Sequence, residues 1–160
     1  VFDLAAYIDE VLTSLNPALR KGATEVAVEC PAGIEVDGYP GGLSQVLTNL
    51  VLNAITHAFG DGGQGRVVIR VERPEPDLIR LMVADDGQGI PAANLGRVFD
   101  PFFTTRRLAG GSGLGLHIVY NIVTRTLRGA IDVESEEGVG TTFSIVFPRV
   151  AETAAGQDAA

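Results

Sequence analysis

Gln45, Asn49, Asn53 and His57 recur every fourth residue, interleaved with the apolar set Leu43, Val46, Leu47, Leu50, Val51 and Ala54. That spacing predicts a helix from Gly42 to about Ala58 with an apolar face and a polar stripe. A helix face turned to bulk water ordinarily carries Glu, Lys and Arg. Neutral amides and an imidazole in their place suit a partly enclosed polar site, and asparagine costs stability in a helix interior. Amide oxygens match a hard cation such as Mg²⁺, and amide N–H groups match phosphate oxygens. A polar face satisfied by water or neighbouring loops fits the same residues, so the helix alone leaves both readings open.

Ile79, Leu81, Val83 and Asp85 share one strand parity, so a buried apolar face ends in a carboxylate that needs a donor. Directly after it runs DGQGI (Asp86–Ile90), where Gly87 and Gly89 allow close backbone approach to a ligand. A tight turn capped by two acids is the plainer reading of the same letters. Thr141, Phe143, Ile145 and Phe147 also share a face, which lets Thr141 and Asp85 converge on one polar spot beneath the helices. GGSGLGL (Gly110–Leu116) leads into a helix, and exposed N–H groups at a glycine-rich helix start can hold an anion. Glycine before a helix also simply makes a turn. Between Phe99 and Gly113 the aromatic residues can anchor the base of a segment otherwise poor in core-type residues, which reads as a mobile flap. Arg106 and Arg107 would serve a flap over phosphate, although a solvated pair needs no such role.

These residues need elements to hold them. Periodicity predicts a helix over Phe2–Leu15 ended by Pro17, a strand over Glu25–Cys30 and a short one over Ile34–Val36. After the Gly42–Ala58 helix come strands Arg66–Arg73 and Leu78–Asp85, joined by the turn-like Pro74–Asp77. A short helix over Pro91–Val98, with Pro91 at its first position, and a helix over Gly113–Leu127 follow. A hairpin of Ala130–Ser135 with Thr141–Phe147 closes the order. Strands joined by tight turns favour an α+β fold, a two-layer α/β sandwich with a mixed, mostly antiparallel sheet and helices on one face. The length of 160 residues suits one domain, expected over residues 1–150, with a disordered tail over 151–160.

Composition prunes the chemistry. With 46% apolar and 20% charged residues this is an ordinary globular chain, and a net charge of −8 opposes a grip on nucleic acid or anionic lipid. The single lysine, Lys21, stands in no GxxxxGK[ST] loop, which removes a Walker-type site and the protein-kinase arrangement with a strand lysine. His57 and His117 are far apart, and without HExxH or CxxC spacing a zinc site is not expected. GDGGQG (Gly60–Gly65) matches a dinucleotide pattern by letter, but it follows a helix and precedes a strand, so it reads as a loop. The lone Cys30 cannot form an internal disulfide and alternates with Val26 and Val28 like a buried residue, which fits a reducing, cytoplasmic setting. No apolar run is long enough to span a bilayer. The chain begins with Val and its only methionine is Met82, so it is expected to be a piece of a longer protein.

Taken together, several segments resemble a known family. QVLTNLVLNAITHAF (Gln45–Phe59) is similar to the N box of sensor histidine kinases, and VADDGQGI (Val83–Ile90) to their first glycine box. VFDPFFTT (Val98–Thr105) resembles their F box, GGSGLGLHIV (Gly110–Val119) their second glycine box, and GVGTTF (Gly138–Phe143) the last glycine motif. The motifs stand in the family's order across residues 43 to 148. The resemblance implies the Bergerat ATP-binding fold shared with gyrase, Hsp90 and MutL, with ATP and Mg²⁺ as ligands.

Carried over by position, it implies that Asp85 accepts from the adenine amino group, with Thr141 helping through water. Asn53 would supply the Mg²⁺ oxygen, and Asn49, the catalytic candidate, would contact phosphate or polarise the reacting group. Gly113, Leu114 and Gly115 would bind phosphate through their amides, and Thr104 to Gly111 would form the ATP lid. The full implied ATP-binding set adds His57, Gly87, Gly89, Ile90, Phe99, Thr105, Arg106 and Leu116. Thr56 stands where many relatives carry Lys or Arg, with His57 left to share that role, and Asp86 replaces a frequent Asn. The implied activity is transfer of phosphate to a histidine on a separate dimerisation and phosphotransfer domain of the same parent, with a response regulator downstream. No segment here resembles that acceptor domain. A hydrolytic ATPase of the gyrase, Hsp90 and MutL type is the first alternative; those carry a glutamate where Asn49 stands, and transfer to histidine needs no such base. A degenerate ATP-sensing scaffold is the second, and turnover with an acceptor domain separates it.

Overall fold

The computed structural model describes residues 1–21, 24–55, 65–100 and 115–150. Strand β1 (Phe2–Asp3) leads into helix α1 (Leu4–Lys21), followed by β2 (Thr24–Glu29), β3 (Glu35–Val36) and helix α2 (Pro40–Asn53). Strands β4 (Gly65–Glu75) and β5 (Leu78–Asp85), the short helix α3 (Ala92–Leu95), helix α4 (Gly115–Asn121) and strands β6 (Ala130–Glu136) and β7 (Gly140–Pro148) complete the order. The main sheet has five strands in the order β2-β4-β5-β7-β6, with β2 parallel to β4 and every other pair antiparallel. This is the predicted mixed, mostly antiparallel arrangement. A separate two-stranded ladder joins β1 to β3.

Strand alternation fixes the layers. Val67, Ile69 and Val71 of β4, Ile79, Leu81 and Val83 of β5, and Phe143, Ile145 and Phe147 of β7 are buried on one face. Their neighbours on the other face stay part-exposed or exposed, among them Arg70 paired to Glu29 and Arg80 to Glu72. Leu4, Ile8 and Val11 of α1, Leu43, Leu47 and Leu50 of α2, and Val119 of α4 join the same core. Among the described residues, helices therefore cover one face only.

The first helix departs from expectation, for α1 continues through Pro17 to Lys21. Leu15 and Leu19 are both buried, four residues apart, so core packing holds the helix across an exposed proline that cannot bond the Thr13 carbonyl. Helix α2 starts two residues early at Pro40, whose fixed φ suits a first turn, and the Tyr7 hydroxyl donates to the Pro40 carbonyl at 2.7 Å. Helix α3 is shorter than Pro91–Val98, with Pro91 as its cap rather than its first residue. Beyond Asn121 the α-helical bonding widens into one π-helical turn, Ile122–Thr126, with the Leu127 amide donating to the Ile122 carbonyl at 2.9 Å. That turn keeps Val119, Val123 and Leu127 all on the core. Cys30, just past β2, is partly buried against the core, and burial first, then Asp3 and Asp9, pushes its thiol pKa up. The expected tail over 151–160 lies outside the described residues.

Candidate functional site

One end of the sheet gathers a polar row. Asp85 on β5 is paired in register with Thr141 on β7, and Thr141 with Ser135 on β6. Each side chain continues a strand parity that is apolar further along, so the row faces the helix layer. Thr141 is the single buried polar residue among the described residues, 5% exposed, and a hydroxyl there must be bonded. Ser135 Oγ meets that need, 2.7 Å from Thr141 Oγ1. The same oxygen accepts the Ile90 N–H at 2.7 Å and donates to the Gly140 carbonyl at 3.0 Å.

Asp85 Oδ1 accepts the Gly87 N–H at 2.9 Å. Burial raises the Asp85 carboxyl pKa above its ordinary value. Backbone hydrogen bonds from Gly87 and Thr141 oppose this, and Asp86 adds to it. The group is a part-buried acceptor in reach of an incoming donor. Asp86, by contrast, is structural: its Oδ1 accepts the Arg66 N–H at 2.9 Å and ties the loop to β4.

One of the glycines after Asp85 makes a close backbone approach within the protein itself. Gly89 has φ 78°, and a Cβ there would overlap the Glu136 carbonyl, so the close approach it permits is to the β6–β7 turn. The Gly138 N–H donates to the Gln88 carbonyl at 2.8 Å across the same contact. On the other side, a Cβ at Gly140 would overlap the Asp85 carbonyl. The loop and the turn are clamped together, which holds Asp85, Thr141 and Ser135 in line.

On the helix side, Asn49 and Asn53 stand one turn apart on α2, both part-buried, while Gln45 is exposed. Asn49 Nδ2 is buried with no hydrogen-bond partner among the described residues. A donor in that state fits an anionic ligand oxygen. Helix α2 packs on α4. Gly42 sits close enough to the π-helical turn that a Cβ would lie 3.3 Å from Ile122 Cγ2. Gly115 opens α4 and Leu116 packs part-buried on the core.

Phe99 is packed as expected of an aromatic anchor, its ring 5.7 Å from Tyr120 and 6.1 Å, edge-on, from Phe143. His117 Nδ1 lies 3.2 Å from the Phe99 carbonyl and His117 Nε2 lies 3.2 Å from Asn121 Nδ2. A carbonyl needs a donor, so Nδ1 carries the proton and Nε2 accepts from Asn121. Sequence reasoning missed both His117 and Ser135. The i, i+4 spacing of His117 and Asn121, and the shared parity of Ile131, Val133 and Ser135, were the available signals. His57, Thr104, Thr105, Arg106, Gly111, Gly113 and Leu114 lie outside the described residues. Among the described residues no three His, Cys, Asp or Glu side chains are placed to hold a metal, and no helix is long and apolar enough to cross a membrane. Mg²⁺ at a nucleotide takes most of its ligands from phosphate and water, so one protein oxygen such as that of Asn53 fits the role.

Comparison with known proteins shows the family to which this chain belongs. It is the histidine kinase-, DNA gyrase B- and HSP90-like ATPase family, whose model matches residues 38–151. Within it, the chain matches the catalytic domains of sensor histidine kinases. The nucleotide-free catalytic domain of histidine kinase ThkA is 31% identical with a TM-score of 0.79, over 94% of this chain and 97% of that one. ThkA solved in complex with the response regulator protein TrrA is 28% identical with a TM-score of 0.73, over 93% of this chain and 41% of that one. The sensor kinase CckA of Brucella abortus (strain 2308) is 40% identical over 133 residues, 74% of this chain and 14% of that protein. The chain spans only 14% to 30% of the length of the curated relatives it matches.

Proposed function

We propose that this chain binds ATP at the Asp85–Thr141 end of the sheet and, within its parent protein, transfers the γ-phosphoryl group to a histidine on a separate dimerisation domain. The observation that carries the reading is Asp85 itself: a part-buried carboxylate, held by the Gly87 N–H and lined up with Thr141, closing the sheet of a chain in this ATPase family. An exocyclic amino group of adenine adds a donor to the backbone N–H groups from which this carboxylate already accepts. At the other end, Asn49 Nδ2, buried without a partner among the described residues, donates to a phosphate oxygen, and Asn53 offers its side-chain oxygen to Mg²⁺. Mg²⁺, when bound, neutralises charge on the phosphates.

The remaining contacts follow family position. Gly115 with Gly113 and Leu114 presents amides to phosphate, Leu116 and Ile90 line the nucleotide, and Thr104, Thr105, Arg106, Gly111 and His57 act from the lid and the end of the N box. Phe99, held by His117 and Tyr120, belongs to the same implied set. The domain boundary is proposed at residue 150, the setting as cytoplasmic, and the downstream partner as a response regulator, in line with the ThkA complex. Direct hydrolysis is the weaker reading, because an amide at position 49 cannot take a proton from water.

Calorimetry with ADP, with and without Mg²⁺, tests the site. Wild type should bind, Asn53→Ala should lose most of the Mg²⁺ enhancement, and Asn49→Ala should weaken ATP more than adenosine. Absence of adenine-nucleotide binding in the wild type overturns the reading.

A further inference from the structure

Ser135 occupies a position that the nucleotide reading does not use. It is the third member of the row, one strand beyond Thr141, with three neighbours on a single hydroxyl. A hydroxyl has one proton and two lone pairs. The Ile90 N–H takes one lone pair at 2.7 Å, and the proton goes to the Gly140 carbonyl at 3.0 Å. In the 2.7 Å contact with Thr141 Oγ1, the remaining role for Ser135 is acceptor. With all three contacts made as hydrogen bonds, Thr141 is the donor there. Its proton is spent inward, and its free lone pairs are what it shows to the site.

We infer that Ser135 is a positioning residue for base selectivity: by taking the Thr141 proton, it makes the Asp85–Thr141 pair acceptor-only and so favours a 6-amino purine over a 6-oxo purine. The inference rests on the proposed adenine site. A 6-amino purine brings donors to this pair, directly or through water. At position 6 itself a 6-oxo purine replaces those donors with an acceptor, which two acceptors leave unpaired. The hold on the Ile90 amide is a separate effect, because it keeps the Asp86–Ile90 loop against β6 whatever base is bound. Removing Ser135 frees the Thr141 proton to donate to a 6-oxo group.

The test is the ratio of GDP to ADP dissociation constants, with Mg²⁺, for the 160-residue chain. Ser135→Ala should lower that ratio about tenfold, the scale of one hydrogen bond whose polarity is reversed. Ser135→Thr, which keeps the hydroxyl, should restore it. Ser135→Cys keeps the volume with a weak donor and acceptor, and should also lower the ratio; it serves if the alanine variant fails to fold. A purely structural role would weaken ADP and GDP equally and leave the ratio unchanged, and that result overturns the inference. Two controls separate it from the site assignment. Wild type that binds neither nucleotide overturns both. Wild type that selects ADP, loses it in Asp85→Asn and keeps full selectivity in Ser135→Ala and Ser135→Cys overturns the Ser135 role alone.

Discussion

Burial at the end of β5 raises the proton affinity of the Asp85 carboxyl in the native state, and two consequences of opposite sign follow. A carboxyl whose native pKa lies above its unfolded value binds protons more tightly when folded, so stability falls as pH rises through that window. Ionised Asp85 therefore costs the nucleotide-free protein stability at neutral pH, and Asp85→Asn should match or exceed wild type in thermal denaturation. The same substitution should weaken ADP about 10- to 100-fold by calorimetry, the range for a hydrogen bond to a charged group. For the wild type, ADP affinity should fall as pH drops below the raised native value, because a protonated carboxyl accepts poorly. A variant both less stable and fully binding would remove Asp85 from the adenine role. Gly89 carries a different cost. At φ 78°, with the Glu136 carbonyl where a Cβ would go, Gly89→Ala should lose about 1–3 kcal/mol of stability in urea denaturation.

At the scale of elements, loop-to-turn clamping does what helix packing alone cannot. The Asp86–Ile90 loop is tied to β4 through Asp86, to β6 through Ser135 and to the β6–β7 turn through Gln88. Strand ends fray unless their backbone groups find partners, and here they find them in one another. The α1 helix shows the converse, an element that tertiary packing keeps despite its sequence. Pro17 is exposed and leaves the Thr13 carbonyl without its helical donor, so Pro17→Ala should stabilise the protein by about 1–3 kcal/mol. Equilibrium denaturation reads this directly, and a lower midpoint would mean that the proline shapes the helix usefully.

For the whole molecule, the proposed nucleotide site lies at one end of a sheet, and among the described residues no histidine is free to take phosphate. Both ring nitrogens of His117 are engaged, one by the Phe99 carbonyl and one by Asn121. Incubation with γ-labelled ATP should leave this chain unlabelled, while an added dimerisation domain from its parent should acquire acid-labile, alkali-stable label. Positioning dominates phosphoryl transfer, so ATP without an aligned acceptor should give no stable product. Label retained on His117 would contradict the bonding seen around it.

Local pattern was enough for much of this. Period-two alternation in 79–85 and 141–147 placed Asp85 and Thr141 on one face, because neighbouring side chains of a strand must point oppositely. Period-four spacing put Asn49 and Asn53 together on one helix, and turn residues gave the mostly antiparallel sheet. What local pattern could not carry was register and contact between distant segments. The partnership of Ser135 with Ile90, 45 residues away, depends on how β6 lies beside β7 and how the loop folds over both. The survival of α1 past Pro17 depends on Leu19 finding the core, a burial term that outweighs a local propensity. Hydrogen-bond roles at Thr141 were decided the same way, since a hydroxyl takes its direction from partners that only the tertiary structure brings within reach.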